Sequence, residues 1–334
     1  MQAQRRGALR RVLGFTICSG PLGLGLLLCL CGPLMAAQAC SKRTPDLHTA
    51  QAATDPHATA GSPAPASETG KPAAPPAEQA DETPPAGIDI SGLDGFERKV
   101  FFRLLNKEPS ACGKAHSLMH SIKNDPGCRK SFYAGKYIAR LVEGGFADSE
   151  VTEALEKRFR NPTTAKVETI GSPSKGSGTA RVTLVEFVDY ECPHCKRVQS
   201  VLRQAVDEFP NDVRVVMKHY PLSQHTNARL AANAAVAAHM QGKFWPYSEK
   251  VWENSEFLTP ALLEKLAKEV GLDVEKWRKD SESSAAAAIV EKDKAQGGAA
   301  GIRSTPTIYI NGKLFTDSRD IESLRDWITE ELGR

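Results

Sequence analysis

What most constrains this chain is a pair of cysteines placed where an apolar strand turns into a helix. Val182-Thr183-Leu184-Val185-Glu186-Phe187-Val188 is β-branched and apolar enough to be a buried strand, and it runs through Asp189-Tyr190-Glu191 into Cys192-Pro193-His194-Cys195. Val198, Leu202, Val206 and Phe209 then recur at helical spacing. Cys192 therefore opens a helix, where unpaired N–H groups and the helix dipole favour an anion, and its thiol is expected to ionise easily and act as the nucleophile. Cys195 lies one turn further along the same face, within reach to close a disulfide with Cys192 or to resolve a mixed disulfide formed on it. Pro193 suits the first helical turn and stiffens it. His194 adds a partial positive charge and a donor near the thiolate, and a stabilised thiolate makes an oxidising pair.

A lone CxxC is also half of a zinc site. Zinc needs two further ligands, and Cys112 and Cys128 are too far apart in sequence to make a second knuckle, so neither a metal nor any other cofactor is expected. A helix start with a histidine inside the ring argues against an inert staple.

Strand, Cys-Pro-His-Cys and helix together resemble the DsbA branch of the thioredoxin superfamily, which uses the same Pro-His dipeptide. The resemblance implies an α/β thioredoxin-like fold with an inserted helical subdomain, here about residues 224–298, and it covers residues 167–334. Glu186, six residues before the nucleophile, stands where that family keeps a buried acid thought to relay protons to the inner cysteine. Lys218, in Val213-Arg214-Val215-Val216-Met217-Lys218, matches the lysine that neighbours the acid. Gly301 to Lys313 resembles the loop and hairpin that hold the family's cis-proline. A cis Thr305-Pro306 bond would set Pro306 and a backbone edge beside the cysteines to pair with an extended substrate peptide. Asn311-Gly312 is a hairpin signal, and Ile321, Leu324 and Ile328 mark a closing helix. Thr305 departs from the strongly oxidising members, which carry valine there; isomerases and reductases more often carry threonine. The direction of electron flow stays open at this point.

Upstream, residues 91–166 read as a small all-α unit. Phe96, Val100, Phe101, Leu104 and Leu105 share a helical spacing, as do Phe132, Tyr137, Ile138, Leu141 and Val142, and then Val151, Leu155 and Phe159. Gly144-Gly145 ends the second pattern, Asp148 is a candidate N-cap for the third, and Asn161-Pro162 stops it. Cys112 and Cys128 are expected to form a structural disulfide between the first two patterns, with a second redox pair as the sharper alternative. His116 and His120 share the i, i+4 spacing that metal sites use, but no third ligand is close in sequence. Trp245, Trp252 and Trp277 fall in helical patterns of the insert and are expected in the core.

The N-terminus bears on redox compartment. Arg5, Arg6, Arg10 and Arg11 precede an uncharged apolar stretch from Val12 to Met35, closed by Ala36-Ala37-Gln38-Ala39, so residues 1–39 read as a secretory signal peptide. Cys40 follows at once, which resembles a bacterial lipobox with Ala37 in place of the usual leucine, and Cys40 is the candidate lipid anchor. Residues 40–90 read as a disordered Pro/Ala-rich tether, with nine prolines from Pro45 to Pro85 and too little apolar surface to offset chain entropy. A net charge of +3 and 25% charged residues, with no basic block, exclude nucleic acid as an expected partner.

These features together predict an exported, periplasmic or otherwise extracytoplasmic lipoprotein that exchanges disulfides through Cys192 and Cys195, chiefly as an oxidant. Its expected partners are extended thiol- or disulfide-containing exported proteins and a membrane redox protein. A reductase or isomerase of the same fold, or a peptide-binding module with an inert disulfide, are the alternatives.

Overall fold

The computed structural model describes residues 80–333. The signal segment, Cys40 and most of the tether lie outside the described residues.

Packing begins before Ser91, the expected domain start. Ile88 and Ile90 are buried in the helical core, and Asp81 pairs with Lys123 at 2.6 Å, so the final stretch of the expected tether belongs to the folded body. Helix α1 (Gly95–Lys107) opens with a capping box: Asp94 accepts from the N–H groups of Phe96 and Glu97, and the Glu97 carboxylate accepts from Asp94 N–H. A short helix α2 (Leu118–Asn124), capped by Ser117, occupies the loop between the first two predicted helices. Helix α3 (Arg129–Glu143) follows, then α4 (Asp148–Leu155), which continues as one π-helical turn to Arg160. Ala147, not Asp148, is the N-cap of α4.

Cys112 and Cys128 are joined, with 6.0 Å between their Cα atoms, and the buried Cys128 sulfur sits among the hydroxyls of Ser110 and Ser131. The bond closes a loop of sequence separation 16, which limits the unfolded chain by about 3 kcal/mol in the chain-entropy account. The double variant Cys112→Ala/Cys128→Ala is therefore expected to lose about that much stability in a urea titration. An unchanged midpoint would assign the bridge another purpose.

The remainder builds a five-stranded sheet of order β1-β3-β2-β4-β5 from β1 (Ser174–Gly176), β2 (Val182–Val188), β3 (Val213–His219), β4 (Thr307–Ile310) and β5 (Lys313–Leu314). Only β2 and β3 are parallel, joined by the crossover helix α5 (Pro193–Glu208). The three-residue edge strand β1 had no sequence signal. Asn311 and Gly312, with φ of 48° and 81°, make the predicted tight hairpin between β4 and β5. Beyond β5 the chain 163–165 lies against this edge: Leu314 N–H donates to Thr163 and Ala165 N–H to Gly312, at 2.8 Å each.

One sheet face, through Val182, Leu184, Val215 and Ile310, packs on α5 and on the closing helix α11 (Ile321–Glu331). Between β3 and β4 stand five insert helices: α6 (Ala228–Met240), α7 (Phe244–Glu253), α8 (Pro260–Glu269), α9 (Val274–Ser281) and α10 (Ser284–Ala299). Helix α10 lies on the opposite sheet face, so close that a Cβ at Gly297 would meet the Tyr220 ring at 2.6 Å. Trp252 and Trp277 are buried in the insert, as read from the sequence, and Trp245 is half-buried with its indole N–H on Ser174.

The helical segment is joined to this body by a buried charge network. Arg158, 4% exposed, bonds Asp317 and Glu330, and its guanidinium lies over the rings of Tyr137, Phe159 and Trp327 at 4.9, 4.6 and 4.7 Å. Arg140 reaches Asp317 and Asp326, and Lys136 reaches Asp326.

Candidate active site

Cys192 is the N-cap of α5 and Pro193 its first residue. Both thiols are free and buried. The Cys192 thiol is drawn down to about 5, first by the hydrogen bond from Cys195, then by Thr305 and by the backbone N–H groups of Cys195 and His194, against a smaller opposing effect of burial. Cys195 is pushed far up from the usual thiol range by burial, by Cys192 and by the charge of Glu186. Two thiols one turn apart are thus held in opposite protonation states: an attacking or leaving thiolate outside, a protonated partner inside.

His194 contributes differently from expectation. Its ring is exposed and meets Arg197, while its backbone N–H is the part that stabilises the Cys192 thiolate.

Behind Cys195 lies Glu186, fully buried on the α5 side of β2. Burial pushes its carboxyl up to about 8; a hydrogen bond from Gln199 opposes this, the Cys192 charge adds to it, and the positive charge of Arg319 opposes it. The Gln199 amide reaches both carboxylate oxygens at 3.1 and 2.9 Å and borders a cavity of about 400 Å³ lined also by Lys196, Arg203 and Trp252. That cavity brings solvent close to the buried acid.

Lys218 is not the neighbour of Glu186. In the parallel register Glu186 pairs with Met217 and Phe187 with Lys218, so the lysine points to the other sheet face. There, 2% exposed, it bonds Asp293 of α10 at 2.9 Å, and the second Asp293 oxygen takes His219 N–H at 3.0 Å.

The second half of the site is the loop before β4. Thr305-Pro306 is cis, as read from the sequence. The Cys192 thiol donates to the Thr305 carbonyl at 3.3 Å, and the Thr305 hydroxyl, buried beside it, helps hold the thiolate. Sequence reasoning missed Asp189, Glu191, Gln199 and Arg319. Asp189 is buried and accepts from the N–H groups of Glu191 and Leu222 and from His225, each at 2.8 Å; Glu191 accepts from Asn227 N–H at 2.7 Å. These two acids fix the turn that aims Cys192. Their place beside the CxxC was the available signal, and for Gln199 it was the i+4 step from Cys195. Among the described residues no three His, Cys, Asp or Glu side chains gather into a metal site, and His116 and His120 stand with rings 4.8 Å apart.

Residues 168–330 match the family model described as Thioredoxin. The Na(+)/H(+) antiporter NhaA of Herminiimonas arsenicoxydans is 35% identical over 150 residues, which is 45% of this chain and 24% of that protein. NhaA 1 of Salinispora arenicola is 33% identical over 160 residues, 48% of this chain and 24% of that protein. The chain thus spans about a quarter of the length of the curated relatives it matches. Among solved structures, oxidised BdbD of Bacillus subtilis is 29% identical, with 52% of this chain and 99% of that one covered and a TM-score of 0.48. A thioredoxin-like oxidoreductase of Silicibacter pomeroyi is 28% identical, with 49% and 94% covered and a TM-score of 0.45. With the family match, the sheet order, the helical insert and the cis-proline opposite a Cys-Pro-His-Cys helix start, residues 168–330 have a thioredoxin-like fold with an inserted helical subdomain.

Proposed function

We propose that this protein is an extracytoplasmic thiol–disulfide oxidoreductase whose Cys192–Cys195 disulfide oxidises dithiols of exported proteins. The observation that carries this reading is the split between a Cys192 thiol drawn down to about 5 and a Cys195 thiol held up. A stabilised thiolate favours the reduced pair, so the disulfide form is an oxidant.

A substrate thiolate attacks Cys192 sulfur; a substrate–Cys192 bond forms and the Cys192–Cys195 bond breaks. Cys195 leaves as a thiolate, and Glu186 supplies the proton it takes up. A second substrate thiolate then attacks the substrate sulfur, a substrate disulfide forms, and Cys192 departs as a stable thiolate. Re-oxidation requires an acceptor, for which a membrane redox protein is the fitting class. Residues 1–39 as a leader and Cys40 as a lipid anchor complete the proposal and would keep the domain tethered outside the cytoplasm.

Reduction in glutathione buffers tests this, together with the pH at which the reduced protein reacts with iodoacetamide. The expected potential lies above about −180 mV. Alkylation should rise through pH 5 and level off by neutrality. The sign follows from Cys192 being lower folded than the usual cysteine value of about 8.5. Ionisation therefore adds stability to the reduced fold that is fully present above about pH 8.5 and lost as pH falls through 5. A potential near the −270 mV of thioredoxin would overturn the oxidant reading in favour of a reductase or isomerase, the reading that Thr305 favours.

A further inference from the structure

The carbonyls on both sides of the cis bond are engaged. Thr305 O accepts from Cys192, and Pro306 O accepts from Nη2 of Arg319 at 3.1 Å. Arg319 comes from the loop between β5 and α11, far in sequence from both halves of the site. It has no carboxylate partner among the described residues.

Two fixed points bracket it. Asp317, two residues before, has a fully buried side chain held by Arg158 and Arg140 of the helical segment. Asp320, one residue after, caps α11 by accepting from Ser323 N–H at 2.7 Å. Phe315 packs edge-on against Trp327 at 5.5 Å and pins the loop's entry. A flexible arginine is thereby confined to the Pro306 carbonyl, and it sits near enough to Glu186 to favour that acid's ionised form.

We propose that Arg319 is a positioning residue for the substrate-aligning Pro306 loop, held in place from the helical segment through the Arg158–Asp317 pair. The inference rests on the exchange reading above and gives the helical segment a task in it: it anchors the loop that presents a backbone edge to an extended peptide. A peptide that needs this edge feels the loop's position. A small reagent that meets only the Cys192 sulfur does not.

The test uses the full chain and compares oxidation of a short dithiol peptide with iodoacetamide alkylation of the reduced protein and with Tm. Wild type is measured first. Arg319→Gln is expected to slow peptide oxidation about tenfold, with alkylation within about twofold of wild type and Tm nearly unchanged. Arg319→Lys should restore most of the rate. Asp317→Asn should slow the peptide reaction similarly, and Arg319→Gln/Asp317→Asn should be no slower than the worse single variant, because both cut one chain of contacts.

Peptide oxidation by Arg319→Gln at the wild-type rate overturns the proposal. So does an equal loss in alkylation, or losses that multiply as independent effects. If Asp317→Asn does not fold, the two Arg319 variants decide. A wild type that does not exchange with the peptide sinks the enzyme reading and this inference with it, whereas an active wild type beside an indifferent Arg319→Gln sinks the positioning role alone.

Discussion

Cys192→Ser is expected to abolish disulfide exchange, by at least about a thousandfold, because the serine can neither accept the substrate sulfur nor leave as a stable anion. Cys195→Ser behaves differently. Offered a peptide disulfide, its Cys192 thiolate attacks one sulfur and forms a mixed disulfide while the other peptide sulfur leaves as a thiolate; with no Cys195 thiol to displace it, the peptide stays covalently bound and appears as a heavier band without reductant. The measurement is peptide oxidation followed by non-reducing electrophoresis. Peptide binding as tight in both variants as in wild type, with no peptide oxidation by wild type either, would mean that the groove alone functions, and the domain would then be a peptide-binding module with a structural disulfide.

Lys218→Met is expected to cost about 3–5 kcal/mol of folding stability, since it leaves the buried Asp293 carboxylate without its cation. Lys218→Met/Asp293→Leu should recover part of that, limited by the His219 N–H that also loses its acceptor. The same variant separates two assignments for the lysine. As the partner of Asp293 it holds α10 to β3 and leaves the pH dependence of exchange alone. A small stability loss with a shifted pH profile would instead return Lys218 to Glu186. Chemical denaturation and a pH–rate series measure the two.

The lysine also shows where the sequence was silent. Glu186 and Lys218 were paired by the family resemblance, but both strands are apolar on both faces, so alternation gave no face assignment to test it and the register decided it. The reactive pair and the helix it opens were legible because each rests on local chemistry, a strand-to-helix step and a proline at the first turn, whereas the cis-proline was legible only through the family resemblance of Gly301 to Lys313. Seven-residue α2 and three-residue β1 are too short to show a period. Arg319 carried no local mark, since its role depends on a carbonyl thirteen residues away and on Asp317, whose anchors Arg140 and Arg158 lie 177 and 159 residues upstream. Ile88 and Ile90 hid behind the proline-rich composition around them.

The way the chain 163–165 lies along β5 bears on where this molecule can be divided. A cut at the expected domain boundary near residue 167 would strip the N–H and C=O groups of β5 of their cover and leave a bare, pairable margin. The isolated catalytic half would then be prone to stick to copies of itself, edge to edge. The short connector thus serves as a selvedge on the sheet, and an N-terminal boundary placed before Thr163 keeps it.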